Sequence, residues 1–279
     1  MIFTLVLIGI FAAAVALPVL GITLWLRHRR WSASREGRRH PLKAPLLRPA
    51  GHTTGLKAEG MLGDFLTCFW LAIFLPIMVA LVHFARISYT GATESLGSIG
   101  FSILLALLLM AGTLWEARRV LERRRSYRLG WEGELASAEG LAPLQGMGYR
   151  IFHDLPGDKF NIDHVLIGPN GVFAIETKVR IKHGLDKETH RVSYDGKTLK
   201  FPNGMTDGPI LQARRQAAWL GKWLSRATQI PLSPAAVVAI PGWWIDQTGR
   251  GDVYVINHGW WSEVSAENKN RHGSKRAAD

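Results

Sequence analysis

Three runs within the first 115 residues, Ile2 to Leu26, Phe65 to Phe84 and Ile99 to Trp115, contain no Asp, Glu, Lys or Arg. A helix crosses the hydrocarbon core of a bilayer with about 20 apolar residues, and roughly 17 is the lower limit. The first two runs meet that length and the third comes close to it, so they are expected to be transmembrane helices over about 2–26, 65–84 and 99–115. A cleaved signal peptide is the rival reading of the first run. That run starts without basic residues, is too long, and leads into Arg27, Arg29 and Arg30 instead of a small-residue cleavage site, which favours an uncleaved anchor.

The basic residues orient these spans. Arg27, Arg29, Arg30, Arg35, Arg38, Arg39, Lys43, Arg48 and Lys57 lie between the first two runs, with only Glu36 and Glu59 opposing them before Asp64. The Ala85 to Ser98 connection carries Arg86 as its one basic residue, and the third run ends at Arg118, Arg119, Arg123, Arg124, Arg125 and Arg128. Lys and Arg stay on the cytoplasmic side of spans. Three spans with the amino terminus outside satisfy both basic segments. The expected location is a bacterial-type inner (cell) membrane, multi-pass, with the soluble domain cytoplasmic.

The expected organisation is a membrane module over 1–128, a soluble domain over 129–266 and a basic polar tail over 267–279. The 279 residues leave room for one soluble domain of ordinary size and exclude a large multidomain enzyme. The 34 Lys and Arg against 22 Asp and Glu give a formal charge of +12, which suits either a phosphate-rich partner or an anionic membrane surface. The single cysteine, Cys68, lies in an apolar run, which excludes a disulfide framework, a thiolate zinc site and a Cys nucleophile in the soluble part.

In the soluble half the sequence predicts helix, strand, strand, strand, loop, helix, strand, strand, an order that suits an α/β sandwich. The first helix is expected over Glu132 to Leu144, and a strand over Tyr149 to Leu155. A polar hairpin is expected over Asp186 to Phe201, turning near Asp195-Gly196. The second helix is expected over Ile210 to Ala227, with Leu211, Ala218, Leu220, Trp223 and Leu224 buried. Ala235 to Ile240 and Val253 to Ile256 close the domain.

The chemistry concentrates between Asn161 and Lys178. Phe160 to Ile167 alternates as a strand, Gly168-Pro169-Asn170-Gly171 breaks it, and Val172 to Val179 resumes it. If Gly168 faces Gly171, counting back along both strands sets Asp163 opposite Glu176, and directly opposed side chains stand about 5 Å apart. Alternation places Lys178 on the same face and sends Phe173 and Ile175 to the other, into a core. Two carboxylates so close repel, and a divalent cation removes the conflict. Oxygen ligands without Cys or His favour Mg²⁺, Mn²⁺ or Ca²⁺ over Zn²⁺. Lys178 is then placed to orient or deprotonate water, or to stabilise a five-coordinate phosphate.

The chain from about Gly130 onward resembles a NERD (nuclease-related) domain, a relative of the restriction-endonuclease-like superfamily with its PD-(D/E)xK motif. The resemblance rests on Asn161-Ile162-Asp163-His164, the Gly168 to Gly171 turn, Ile175-Glu176-Thr177-Lys178 and the opening Gly133-Glu134. Ile162 stands where the superfamily's motif has proline. The resemblance implies a restriction-endonuclease-like α/β fold, a central mixed sheet flanked by helices and here preceded by the transmembrane module. It further implies a Mg²⁺- or Mn²⁺-dependent phosphodiesterase acting on nucleic acid, DNA above all. Asp163 and Glu176 would be metal ligands, Glu134 an accessory acid and ligand from a helix, and Lys178 the catalytic lysine. A polar residue on the following helix often completes such sites; Gln212 is the first choice and Gln216 the second.

Other readings stand beside these. Asp163 can instead cap a turn or pair with an Arg, and Glu134 suits the first turn of a helix through the dipole alone. His164 points to the opposite face and reads as a satisfied, semi-buried histidine. Trp243-Trp244 and Trp260-Trp261 either stack on bases or fill a core or the membrane interface. Lys178, Arg180, Lys182, Lys187, Arg191, Lys197 and Lys200 form either a rim that tracks phosphates or a solvated hairpin surface. The alternative to an enzyme is a non-catalytic nucleic-acid-binding or protein-docking module on a membrane anchor. Oligomeric state is left open.

Overall fold

The computed structural model describes residues 47–91, 95–182 and 190–257. The first apolar run, Lys187, Trp260-Trp261 and the basic tail lie outside them. The described chain divides into two compact units, one containing Met61–Arg123 and the other combining Leu47–Gly60 with the described part of Arg124–Asp279. Leu47–Gly60, which the sequence places in the membrane module, therefore groups with the α/β residues.

Helix α1 spans His52–Thr90 and helix α2 spans Leu96–Leu141. Both are long and apolar enough to cross a membrane, by length and composition. In the first unit Ser102 Oγ meets His83 Nδ1 at 2.8 Å, a polar contact between two apolar helices. The sequence predicts a span ending near Trp115 and a separate helix from Glu132; instead α2 runs through both. No proline interrupts it, and Arg118–Glu122 and Arg128–Glu132 pair at i,i+4 across the charged stretch.

In the second unit α2 gives way to a 3₁₀ turn over Ala142–Met147, and among the described residues nine strands and one helix follow. They are β1 (Arg150–Pro156), β2 (Asn161–Gly168), β3 (Gly171–Thr177), β4 (Arg191–Tyr194), β5 (Leu199–Phe201), β6 (Gly204–Thr206), α3 (Gly208–Thr228), β7 (Ala235–Ala239), β8 (Trp244–Gln247) and β9 (Val253–Ile256). The result is mixed α/β. A five-stranded sheet has the order β1-β2-β3-β7-β9, antiparallel through β3 and parallel beyond it, and a four-stranded sheet has the order β6-β5-β4-β8. The expected hairpin turns between β4 and β5, and the short strands β6 and β8 enlarge it into a sheet.

Two cores sandwich the larger sheet. Val165, Ala174 and Val238 join α3 residues Ile210, Ala213, Ala217 and Leu220 and second-sheet residues Val192, Tyr194 and Phe201 in one. Leu166, Phe173, Ile175 and Val237 pack with Leu141, Leu144 and Tyr149 in the other. The buried side of α3 differs from the expected one: Pro209, Ile210, Ala213, Gln216, Ala217, Leu220 and Gly221 are buried, whereas Leu211 and Trp223 are 45% and 48% exposed. A glutamine occupies the centre of the inward stripe, and Trp223 lies outside, stacked on Trp219. Apolar content alone therefore rotates the predicted face. Trp243 is a core residue, edge-on to Phe201 and donating its indole N–H to the Arg180 carbonyl, while Trp244 is exposed.

Candidate active site

The β2–β3 turn has the predicted register. Gly168 pairs with Gly171 and the ladder continues to His164 opposite Ile175, one position short of Asp163 and Glu176. There the side chain takes over: the Thr177 backbone N–H donates to Asp163 Oδ2 at 2.7 Å. Period-2 alternation sends Val165 and Ala174 toward α3, and Leu166, Phe173 and Ile175 into the second core.

Glu176 is 7% exposed and lies against α3, where Gln216 Nε2 donates to its Oε2 at 2.7 Å and to the Asn161 carbonyl at 3.1 Å. Gln216 is itself 1% exposed, and its Oε1 has no hydrogen-bond partner among the described residues. Gln212, the first choice from sequence, is partly exposed one turn earlier and bears on the Glu176 carboxyl less than Gln216 does. Gln216 therefore makes the main contact with the acid, because it, and not Gln212, lies on the buried face of α3.

Glu134 comes from the last third of α2 and is 7% exposed. Gly133 lets it approach, because a Cβ there would collide with the Val179 side chain just beyond β3. One helical turn further, the Thr177 hydroxyl donates to Ser137 Oγ at 3.1 Å. The opening Gly-Glu of the sequence pattern thus has a packing reason for its first residue and a buried carboxylate as its second.

Asp154 escapes the sequence reading. The pairs His153–His164 and Leu155–Ile162 bracket it, which sets it across from Asp163 on the other side of β2. Its carboxylate, 3% exposed, receives Thr53 Oγ1 at 2.7 Å, Asn161 Nδ2 at 2.8 Å and Arg48 Nη1 at 3.2 Å. The signal lay in extending the register from β2 to the strand before it.

These acids perturb one another. Burial pushes the Glu176 carboxyl up to about 7, opposed by the Gln216 hydrogen bond and the Lys178 charge, with Glu134 adding to the rise. Asp163 keeps some accessible surface, yet desolvation is the largest influence on its carboxyl; with the charges of Glu176 and Glu134, it outweighs the Thr177 N–H and holds the group well above the usual range. Burial raises Glu134 too, against the Thr54 hydroxyl. Lys178 is exposed where β3 ends, its backbone N–H bonded to the Ala239 carbonyl. The donor chemistry suits a hard divalent cation: carboxylate oxygens, mutual repulsion and no thiolate. Among the described residues no three His, Cys, Asp or Glu side chains are gathered closely enough to hold a metal ion together.

His164, on the opposite face, is fully buried, with Nδ1 2.8 Å from His153 Nδ1 and Nε2 unpartnered among the described residues. Burial, then the neighbouring His153, lowers it to about 3, so it is neutral. Of the basic residues after the site, Arg191 pairs with Asp246 and Arg180 lies over the Phe201 ring.

No curated protein and no solved structure matches the chain. A family model does, described as nuclease-related domain, and its match covers Gly133-Glu134, the β2–β3 hairpin, Gln216 and the start of the parallel half of the sheet. Residues 129–239 of this chain are accordingly a NERD, or nuclease-related, domain.

Proposed function

We propose that the second unit is a divalent-metal-dependent nuclease that hydrolyses phosphodiester bonds of nucleic acid, DNA in the first instance, from a membrane anchor. One observation carries this reading: Asp163 and Glu176, adjacent across the hairpin, are both held above the usual carboxylate range, with Glu134 contributing to each. A protein maintains such a cluster at a cost to its stability, which fits a site where a cation relieves the repulsion. Asp163 and Glu176 would hold Mg²⁺ or Mn²⁺, with Glu134 accessory. The bound ion would polarise a phosphoryl oxygen and stabilise the charge that develops on it. Gln216 fixes the Glu176 carboxylate from behind. Lys178, exposed at the end of the strand, would bring its charge to the phosphate. The basic flanks of the spans support a cytoplasmic position for this unit in a multi-pass membrane protein.

The full chain in nanodiscs should cut DNA with Mg²⁺ or Mn²⁺ and not with EDTA. Asp163→Asn, Glu176→Gln and Lys178→Ala should each abolish cutting while circular dichroism stays unchanged. Undiminished cutting in any of the three refutes the assignment of that residue.

The exposure of Lys178, Lys182, Lys197 and Lys200 favours a second reading, a non-catalytic module that binds nucleic acid through its basic surface. It requires salt-sensitive DNA binding that survives all three substitutions.

A further inference from the structure

We infer that Thr54, with Thr53 and Arg48, forms a clamp that positions the acidic site, so that Leu47–Gly60, which lies outside the matched 129–239, is a working part of the nuclease-like unit. The inference rests on the reading of Asp163 and Glu176 as metal ligands with Glu134 as an accessory acid.

The clamp is seated by packing and closed by hydrogen bonds. Gly51 has φ +68°, and a Cβ there would collide with the Trp131 indole of α2; Gly55 brings the first turn of α1 against the same ring. Ala50 and Ala58 are buried on either side. With the backbone fixed in this way, the two threonines of that first turn reach different acids. Thr54 Oγ1 donates to Glu134 Oε1 at 2.7 Å. Thr53 Oγ1 donates to Asp154 Oδ2 at 2.7 Å and accepts from Asn161 Nδ2 at 2.7 Å, and Arg48 covers Asp154 from outside.

From Asn161 the chain of bonds continues inward. Its amide also donates to Asp154 Oδ1, its carbonyl accepts from Gln216, and Gln216 donates to Glu176. One connected network thus runs from Thr53 to the acid at the centre of the site, and the Thr54 hydroxyl together with the Gly51 backbone N–H holds the accessory acid. The hydroxyl at 54 and the Gly51 N–H satisfy a carboxylate that is almost entirely buried; without the hydroxyl the oxygen it meets loses its donor and the carboxylate is held at one point only. Partners of this kind fix the direction of ligand oxygens, and losing one costs about ten- to a hundredfold in metal affinity in known sites.

The test uses the full chain in nanodiscs, Mn²⁺ as the probe, calorimetry for affinity, plasmid nicking for kcat and KM, and thermal unfolding for the fold. Thr54→Val, which keeps the shape and removes the hydroxyl, should weaken Mn²⁺ binding about tenfold and lower kcat, with KM for DNA and the unfolding temperature little changed. Thr54→Ser should restore affinity to within about threefold of the wild type, on the same scale. If Thr54→Val does not fold, Arg48→Gln takes its place, since the Arg48 side chain is 42% exposed; a loss of Mn²⁺ affinity of about threefold is then expected. Wild-type affinity in the variant, or Thr54→Ser no better than Thr54→Val, overturns the clamp and leaves the nuclease reading intact. A wild-type chain that neither binds Mn²⁺ nor nicks DNA overturns both.

Discussion

The two faces of the β2–β3 hairpin are built from alternate residues of the same short strands, yet they obey opposite rules. Toward the 3₁₀ turn, Leu166, Phe173 and Ile175 are at most 2% exposed, and the imidazole of His164 stays neutral among them. Toward α3, Asp163 and Glu176 gather charge that burial and the neighbouring Glu134 disfavour. One face is arranged for stability; the other gives up stability to hold a charge conflict. A site of this kind is recognised by what it costs as well as by what it contains.

The sharpest break between the faces is predicted at Glu176. Glu176→Gln should reduce DNA cleavage by on the order of 10³, about 4 kcal/mol in the barrier. The same change should leave the unfolding temperature at pH 8 equal to or above the wild type, because a buried charge is removed; a lower value would show that Glu176 is structural. Leu166→Ala, three residues from Asp163 and on the other face, should do the reverse. It should cost about 3 kcal/mol of stability, read as a drop of several degrees in the unfolding midpoint, while kcat per folded molecule at low temperature is retained.

Titration sharpens the contrast further. Glu176 has a folded-state value near 7, above its ordinary 4.5, so its contribution to stability is complete below about 4.5 and lost as pH rises toward 7. His164 has a folded-state value near 3, below its ordinary 6.5, so its contribution is complete above about 6.5 and lost as pH falls toward 3. The two slopes oppose between about 4.5 and 6.5. Thermal unfolding against pH should therefore rise more steeply between about 4.5 and 6.5 in Glu176→Gln than in the wild type and keep its acid limb; a wild-type profile in that variant would contradict the assignment. The smallest effect is expected far from both faces: Arg191→Gln removes an exposed pair with Asp246 and should shift stability by about 0.5 kcal/mol, measured by urea unfolding.

The hairpin was legible because a Gly-Pro-Asn-Gly turn fixes register, and one residue of slip would exchange the faces. Asp163, Glu176 and Lys178 follow from that register in placement; their roles do not. The face of α3 was illegible because Gln216 hides in an apolar stripe that a hydrophobicity count assigns to Leu211 and Trp223. Helix α2 was cut in two because its arginines read as the border of a span, and nothing local shows that i,i+4 pairs carry the helix across. The short strands β6 and β8 leave too few residues for alternation to show. Arg48, Thr53 and Thr54 read as part of a basic loop, since their partners lie about 80 or more residues away along the chain.

That separation also sets a schedule for synthesis. Leu47–Gly60 leaves the ribosome before Met61–Arg123, and the strands it joins come after, so the earliest-made piece of the α/β unit must wait for its partners. Closing so long a loop is slow compared with forming a local turn. The hairpin can form as soon as it emerges, but Asp154 and Glu134 acquire their threonine donors only when the early segment finds them, which makes closure over these acids a late event in the protein's maturation.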